Sequence, residues 1–424
     1  MKRLHLLPLL LLTSLAVAGC GAETVAPTTA PDAGFDLSED GGSATSDTGS
    51  PSVTDAAMPP QDGGAWQPEP SMPDTGVTPA DDASTPDADE PTEPDPPVDV
   101  CADQDKLPAD PASRPAINDN PRFIQVYNNN IENLKTANEE CRGDWTDLIH
   151  YMKTIKPSPD LFLVQQISNT AQLKKLVDRM SNALPGAFEG VLSEGNPDTQ
   201  RSPCGREKAQ QTNAIIYRKG RFSRVGQKHV WQSWAKKDGR CVRNHQARTK
   251  NLMVKLHDKV ANKDVTVASL HWSTAQGSGP DRACALKNMR EADAKVHMAG
   301  YRSDLVIMGG DLNEPDRTSG GSFRAWHREV NGDRGGPLNF RDVIYFECKR
   351  KGNLQACLDD NFTIGSGRRI DFVFGQDGNG CRARVRRQHT ISFSSADAAA
   401  KAATGGDSSL NYSDHRAIRA EIYY

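Results

Sequence analysis

Short apolar runs that each end in a carboxylate, an amide or a histidine recur along the C-terminal part of this chain, and they restrict its fold more than any other feature. They read VYNNNIENL from Val126, LFLVQQIS from Leu161, SLHWST from Ser269, MGGDLNEPD from Met308, RRIDFVFG from Arg368 and YSDHRAI from Tyr412. Several are continuously apolar, as strands buried on both faces must be. Strand-like runs are predicted at 123–128, 161–165, 213–217, 251–256, 265–270, 305–308, 370–374 and 417–423. Between them, 144–155 and 171–184 space their apolar residues three and four apart, which predicts helices with one face on a sheet, and 281–298 reads as a third helix. Periodicity alone therefore gives an α/β class.

The order of these strings resembles the endonuclease/exonuclease/phosphatase family of metal-dependent phosphoesterases, which includes deoxyribonuclease I-like nucleases, sphingomyelinases and inositol-phosphate phosphatases. The resemblance implies a two-sheet α/β sandwich with outer helices, the deoxyribonuclease I-like four-layer fold, and a divalent cofactor, Mg²⁺ or else Mn²⁺ or Ca²⁺. One departure concerns that ion directly. Where the family has Gln-Glu, with the Glu holding Mg²⁺, this chain has Gln165-Gln166. The substitution keeps one carbonyl oxygen and deletes a full negative charge beside the cation, so metal affinity should fall by roughly a power of ten or more.

The candidate site residues follow from the same strings. Asp311 and Asn313 stand just beyond DLVIMG, where Gly309-Gly310 turn the chain. A carboxylate and an amide two apart at a strand mouth can point the same way, one orienting a water or a metal and the other donating to a phosphoryl oxygen. Asp371 and His415 form a second pair, in which a carboxylate on one imidazole nitrogen leaves the other free to exchange a proton. The resemblance makes this dyad the activator of a water for in-line attack on phosphorus, and makes Asp414 and Gln166 metal contacts. It sets His271 across the scissile phosphate, to stabilise phosphoryl charge or protonate the leaving group, with Gln211 standing where relatives orient that histidine with Glu, and Glu207 nearby. Asn130 matches a strand-end Asn that touches phosphate or the metal shell.

The ends of the chain carry other information. Residues 1–19 read as a signal peptide, and Val17-Ala18-Gly19-Cys20 resembles a bacterial lipobox, which implies cleavage before Cys20, a lipid on its sulfur and, with Gly21 next, outer-membrane sorting. Residues 20–100 form an acidic tether rich in Pro, Thr and Asp, expected to be disordered, and 101–424 the catalytic domain. Residues 21–100 hold 18 acids and no Lys or Arg, so of the 51 basic and 55 acidic residues in the chain, 49 and 37 fall in residues 101–424, a balance of about +12. Such a surface attracts polyanions. Eight cysteines after Cys20 favour disulfides in an exported chain; Cys348 with Cys357 and Cys204 with Cys241 are the pairings expected from proximity.

Three functions fit these observations. The first is a surface-anchored, monomeric nuclease cutting DNA or RNA, motivated by the basic balance, by the string from Arg382 to Arg387 and by Arg368-Arg369. The second is a sphingomyelinase of phospholipase C type or a phosphomonoesterase; Trp231 and Trp234, which an aromatic membrane hairpin would need, read instead as strand-end or packing residues. The third is a non-catalytic polyanion-binding module, because of Gln166.

Overall fold

A computed structural model describes residues 99–131, 148–149, 152–153, 157–197, 211–391, 413 and 415–424. The lipobox Cys20, residues 20–98 of the acidic tether, Cys141, Cys204, Glu207 and Asp414 lie outside the described residues, as does most of 144–155, of which Leu148, Ile149 and Met152 are buried in a helix.

Fourteen strands are described: β1 (Phe123–Asn130), β2 (Leu161–Ile167), β3 (Phe188–Leu192), β4 (Thr212–Arg218), β5 (Phe222–Gln232), β6 (Trp234–Lys237), β7 (Arg240–Arg243), β8 (Lys250–Asp258), β9 (Lys263–His271), β10 (Leu305–Asp311), β11 (Arg341–Asp342), β12 (Asp371–Asp377), β13 (Arg384–Thr390) and β14 (Ile418–Tyr423). They make two mixed six-stranded sheets, ordered β13-β14-β1-β2-β4-β3 and β11-β12-β10-β9-β8-β5, and a separate hairpin β6-β7. All eight interior strands of those two sheets were readable as strand-like runs. Within the two six-stranded sheets, the four that were not, β3, β5, β11 and β13, are the four sheet edges.

Alternation along the strands builds the layers. Ile124, Val126, Leu161, Leu163 and Ile215 of the first sheet face Leu252, Val254, Val265, Val267, Leu305, Ile307 and Val373 of the second in one core between the sheets. The residues between them in sequence point outward. Phe162, Val164 and Ile216 meet Leu173, Leu176 and Met180 of helix Thr170–Ala183, while Ala268, Met308, Phe372 and Phe374 meet Ala285, Met289 and Ala292 of helix Ala283–Val296. The result is the helix–sheet–sheet–helix order of the expected sandwich.

At the end where β2 begins and β4 and β8 finish, charge locks the sheets together. Fully buried Arg221 donates to Asp160, 3.1 Å, and to Asp258, 2.8 Å, while Arg218 holds the other oxygen of Asp160 at 3.1 Å and the Tyr424 hydroxyl donates to Asp258 at 2.8 Å. Removing one member of a buried pair leaves its partner unsolvated and unpaired. Arg221→Met should therefore lower unfolding stability by about 3–5 kcal/mol in a urea titration.

Three disulfides are described, Cys101–Cys381, Cys241–Cys284 and Cys348–Cys357. The last was expected. The expected Cys204–Cys241 pair is not formed: Cys241 lies on β7 and bonds to the helix packed beneath it, a neighbour that sequence proximity does not reveal.

Candidate active site

The core alternation continues into a polar layer and then into the site. Following the inward positions two at a time, β1 runs Ile124, Val126, Asn128, Asn130; β9 runs Val265, Val267, Ser269, His271; and β10 runs Leu305, Ile307, Gly309, Asp311. In the polar layer the Gln165 side chain donates to Asn128, 3.0 Å, and to Ser269, 3.1 Å, tying one sheet to the other. Beyond it, Asp311 pairs in register with His271 on one side and Asp371 on the other, so three strands deliver their polar residues to one rung. Gly309 and Gly310 permit this close approach: a Cβ on Gly310, whose φ is +153°, would lie 1.8 Å from the Leu270 carbonyl oxygen, and one on Gly309 would lie 2.6 Å from that of Phe372.

Five of the candidates converge. His415 Nδ1 lies 2.8 Å from Asp371 Oδ2, and its Nε2 lies 3.8 Å from Asp311 Oδ2. Asn130 reaches across from the other sheet to donate to that same Asp311 oxygen, 2.9 Å, with its amide 3.5 Å from His415 Nε2. His271 Nε2 stands 3.5 Å from Asp311 Oδ2. Asn130, His271, Asp311, Asp371 and His415 are all buried. Asn313, in the left-handed region at φ +50°, folds back so that its N–H donates to Asp311 Oδ1, 2.8 Å, and its side chain to the Trp272 carbonyl, 2.9 Å.

Electrostatics follow from this burial. Burial pushes the Asp311 carboxyl above its ordinary value, aided by the charge of Asp371 and opposed by the two histidines and the Asn313 N–H. Burial also pulls the His271 imidazole down to about 4, against the pull of Asp311 and of the Arg248 carbonyl. At neutral pH His271 is thus an uncharged ring. Asp311, Asp371 and His415 offer ligand atoms that all lie within 4.8 Å of one another, the arrangement of a candidate metal group.

Gln166 sits on a β-bulge between Val164 and Ile167, itself at φ +63°, which breaks the alternation that would carry its side chain to the helix-covered face. Its Oε1 accepts from Gln211 Nε2 at 2.9 Å. This corrects the expectation that Gln211 orients His271. What holds the strand carrying His271 is Asn251, whose side-chain oxygen accepts from the His271 backbone N–H at 3.0 Å.

Two further expectations are changed by burial and position. Arg369 is no part of a basic surface: it is fully buried, donating to Asp316, 2.7 Å, and Asp342, 2.9 Å, and so joins the loop after Asp311 to the segment entering Asp371. The Arg382–Arg387 string lies mostly away from the site, since Arg384 pairs in register with Tyr423 at the opposite end of β14, and Arg386 faces Asp110 at 3.2 Å. Sequence reasoning missed Ser413, whose hydroxyl donates to the Asn130 carbonyl, 2.5 Å, and accepts from the His415 N–H, 2.9 Å; its place two before the histidine in SDH was the available signal. It also missed Thr363, whose hydroxyl accepts from the Asp371 N–H at 3.0 Å.

The fold and this rung define a two-sheet α/β sandwich with a buried cluster of two carboxylates and two imidazoles at one end of the sheet interface. The sequence matches no family model and no curated protein. Solved structures are similar to it at low identity. The human Nocturnin catalytic domain with bound sulfate anion is 15% identical, covering 71% of this chain and 94% of that one, with a TM-score of 0.47. The endonuclease/exonuclease/phosphatase from Bacteroides vulgatus is 12% identical over 71% of this chain and 98% of its own, TM-score 0.44. The Bacteroides thetaiotaomicron mannosyl-6-phosphatase is 15% identical over 71% and 100%, TM-score 0.43.

Proposed function

We propose that the chain is a divalent-metal-dependent phosphoesterase, and that its substrates are the phosphodiesters of nucleic acid. The observation that carries this reading is the convergence of Asn130, His271, Asp311, Asp371 and His415, from two sheets, on one buried point. The donor set fits a hard divalent cation. Asp311 and Asp371 bury negative charge side by side, and Asp371 Oδ1 has no hydrogen-bond partner among the described residues. Asp311 and Asn130 would hold the ion, with Gln166 and Asp414 as the further ligands we infer. Bound there, it would neutralise charge on the phosphoryl oxygens.

The protein's own groups supply the rest. Asp371 fixes the ring of His415 through Nδ1, which leaves Nε2 to take a proton from a water as its oxygen bonds to phosphorus, while the ester P–O bond breaks and the leaving oxygen departs by taking up a proton from solvent. Asn130 and Asn313 offer amide donors to the phosphoryl oxygens. His271, uncharged in the resting site, donates a hydrogen bond to the phosphoryl group from the opposite side. With Cys20 lipidated and residues 20–100 as a tether, we infer that this chemistry takes place at the cell surface.

Gln166 sets the affinity of this site for metal. Gln166→Glu restores the missing charge opposite a Gln211 amide already placed to donate to it, and should tighten Mg²⁺ or Mn²⁺ binding by about tenfold in calorimetry. An unchanged affinity would put Gln166 outside the ion's shell. The substrate class is tested by incubating the protein and Mg²⁺ with labelled DNA, labelled RNA, sphingomyelin liposomes and p-nitrophenyl phosphate. Cleavage of a nucleic acid is the expected result, and turnover confined to the lipid or the monoester would replace the nuclease reading.

A further inference from the structure

The hairpin β6-β7 was not anticipated, although its turn was written in the sequence. Asp238-Gly239 stand at φ +48° and +76°, the left-handed pair that a two-residue hairpin turn needs. Its base is held from several directions. Cys241 is bonded to Cys284 at the start of helix Ala283–Val296. The Trp234 ring lies between the Arg243 guanidinium, 3.8 Å from its centroid, and the Lys287 ammonium, 3.4 Å, while its indole N–H donates to Glu291 at 2.6 Å. Asn288 accepts from the Trp234 N–H, 2.7 Å, and donates to its carbonyl, 3.0 Å.

This rigid element stands at the catalytic end of the molecule. It leaves the sheet where β5 finishes beside Lys250, the same end at which β9 delivers His271, and the Lys236 N–H donates to the carbonyl of Ala275 at 2.6 Å, only a few residues past that histidine. Lys236, Lys237 and Arg240 are exposed at its tip, and none of them ion-pairs with an acid among the described residues. The Arg382–Arg387 string contrasts with this, because Arg386 and Arg387 are met by Asp110 at 3.2 and 3.5 Å and Arg382 by Asp105 at 3.0 Å. A net positive tip, three cations against the one turn carboxylate of Asp238, on a pre-ordered support is what a phosphate chain binds with least loss of conformational freedom.

We propose that this disulfide-stapled hairpin is a clamp for the sugar–phosphate backbone of a nucleic-acid strand whose neighbouring phosphodiester enters the site. The proposal rests on the phosphoesterase reading and deepens it, since a small phosphomonoester has no chain for the clamp to hold.

The test is fluorescence anisotropy of a short labelled single-stranded DNA with the whole protein in EDTA, across a salt series. The combined substitution Lys236→Gln, Lys237→Gln and Arg240→Gln, all at exposed positions, should weaken binding at low salt by about tenfold or more and flatten the slope of log affinity against log salt by about 2, for three lost phosphate contacts to a single strand. Replacing the same residues Lys→Arg and Arg→Lys should keep both. Unchanged affinity and slope would overturn the clamp, as would an equal loss from Arg384→Gln, Arg386→Gln and Arg387→Gln. Loss of binding to phosphatidylglycerol vesicles with DNA binding intact would overturn it too, by assigning the hairpin to a membrane. A strand held through the hairpin in EDTA and left uncut in Mg²⁺ would keep the clamp and remove the nuclease reading, so the two failures are distinguishable.

Discussion

His415→Ala should lower kcat/KM for phosphodiester hydrolysis by about 10³-fold or more while leaving the fold intact. General-base assistance contributes on the order of 10²–10⁴ in rate. His415 is placed for this role: Nδ1 is committed to Asp371 at 2.8 Å, and Nε2 faces the gap bounded by Asp311 and Asn130. The backbone that presents it is fixed independently of the ring, because its N–H is held by Ser413 and its carbonyl accepts from Asn129 at 3.2 Å. Alanine therefore removes the base without releasing the strand, and circular dichroism should be unchanged. Asp371→Asn should cause a loss of similar order, since an amide cannot stabilise the ring once it gains a proton. Full activity in either variant would place the proton acceptor elsewhere.

Asp311→Asn should abolish turnover, by about 10²-fold or more, and at the same time make the metal-free protein more stable. Asp311 is a buried carboxylate beside a second one, its carboxyl pushed above the ordinary value by burial and by Asp371. Buried charges are retained at a cost to folding, and an isosteric neutral side chain often relieves it. The amide keeps one oxygen for the Asn313 N–H and puts its NH₂ where Oδ2 accepts from Asn130, a donor that the Asn130 amide meets by turning over to present its own oxygen. A melting temperature higher by about 1.5 °C without divalent ion is the expected size for a change of roughly 1 kcal/mol in a domain this large. Added Mg²⁺ or Mn²⁺ should raise the melting temperature of the wild type and not that of the variant. A variant both less stable and still active would mean that Asp311 is a structural residue.

How much of this was readable in the sequence depended on burial. Interior strands need apolar side chains on both faces, so LVIMG or LFLV announces itself; edge strands such as FSRVGQKHVWQ, with six consecutive exposed residues, carry no such run. Asn130, His271, Asp311 and Asp371 were found because each stands at an end of an interior strand, where alternation sends it inward, while His415, just before β14, was found from its SDH string. What could not be read were contacts set by the fold across long sequence distances. The pairing of Gln166 with Gln211 depends on a bulge. Cys101 meets Cys381 across a separation of 280 residues. The charge of Arg369 looked available for substrate, but two buried aspartates take it up. Net charge was a poor guide to position in the same way, since it summed paired arginines at one end with the free lysines of the hairpin at the other.

The most direct test of the catalytic assignment is hydrolysis of bis(p-nitrophenyl) phosphate in ¹⁸O-labelled water by the purified protein, with Mg²⁺, Mn²⁺ or Ca²⁺ and with EDTA, following the label by mass spectrometry. Attack of a water on phosphorus at an ion-bearing site predicts turnover only with a divalent ion, and one ¹⁸O in the p-nitrophenyl phosphate released. No turnover with any of the three ions, or turnover that persists in EDTA, would contradict it.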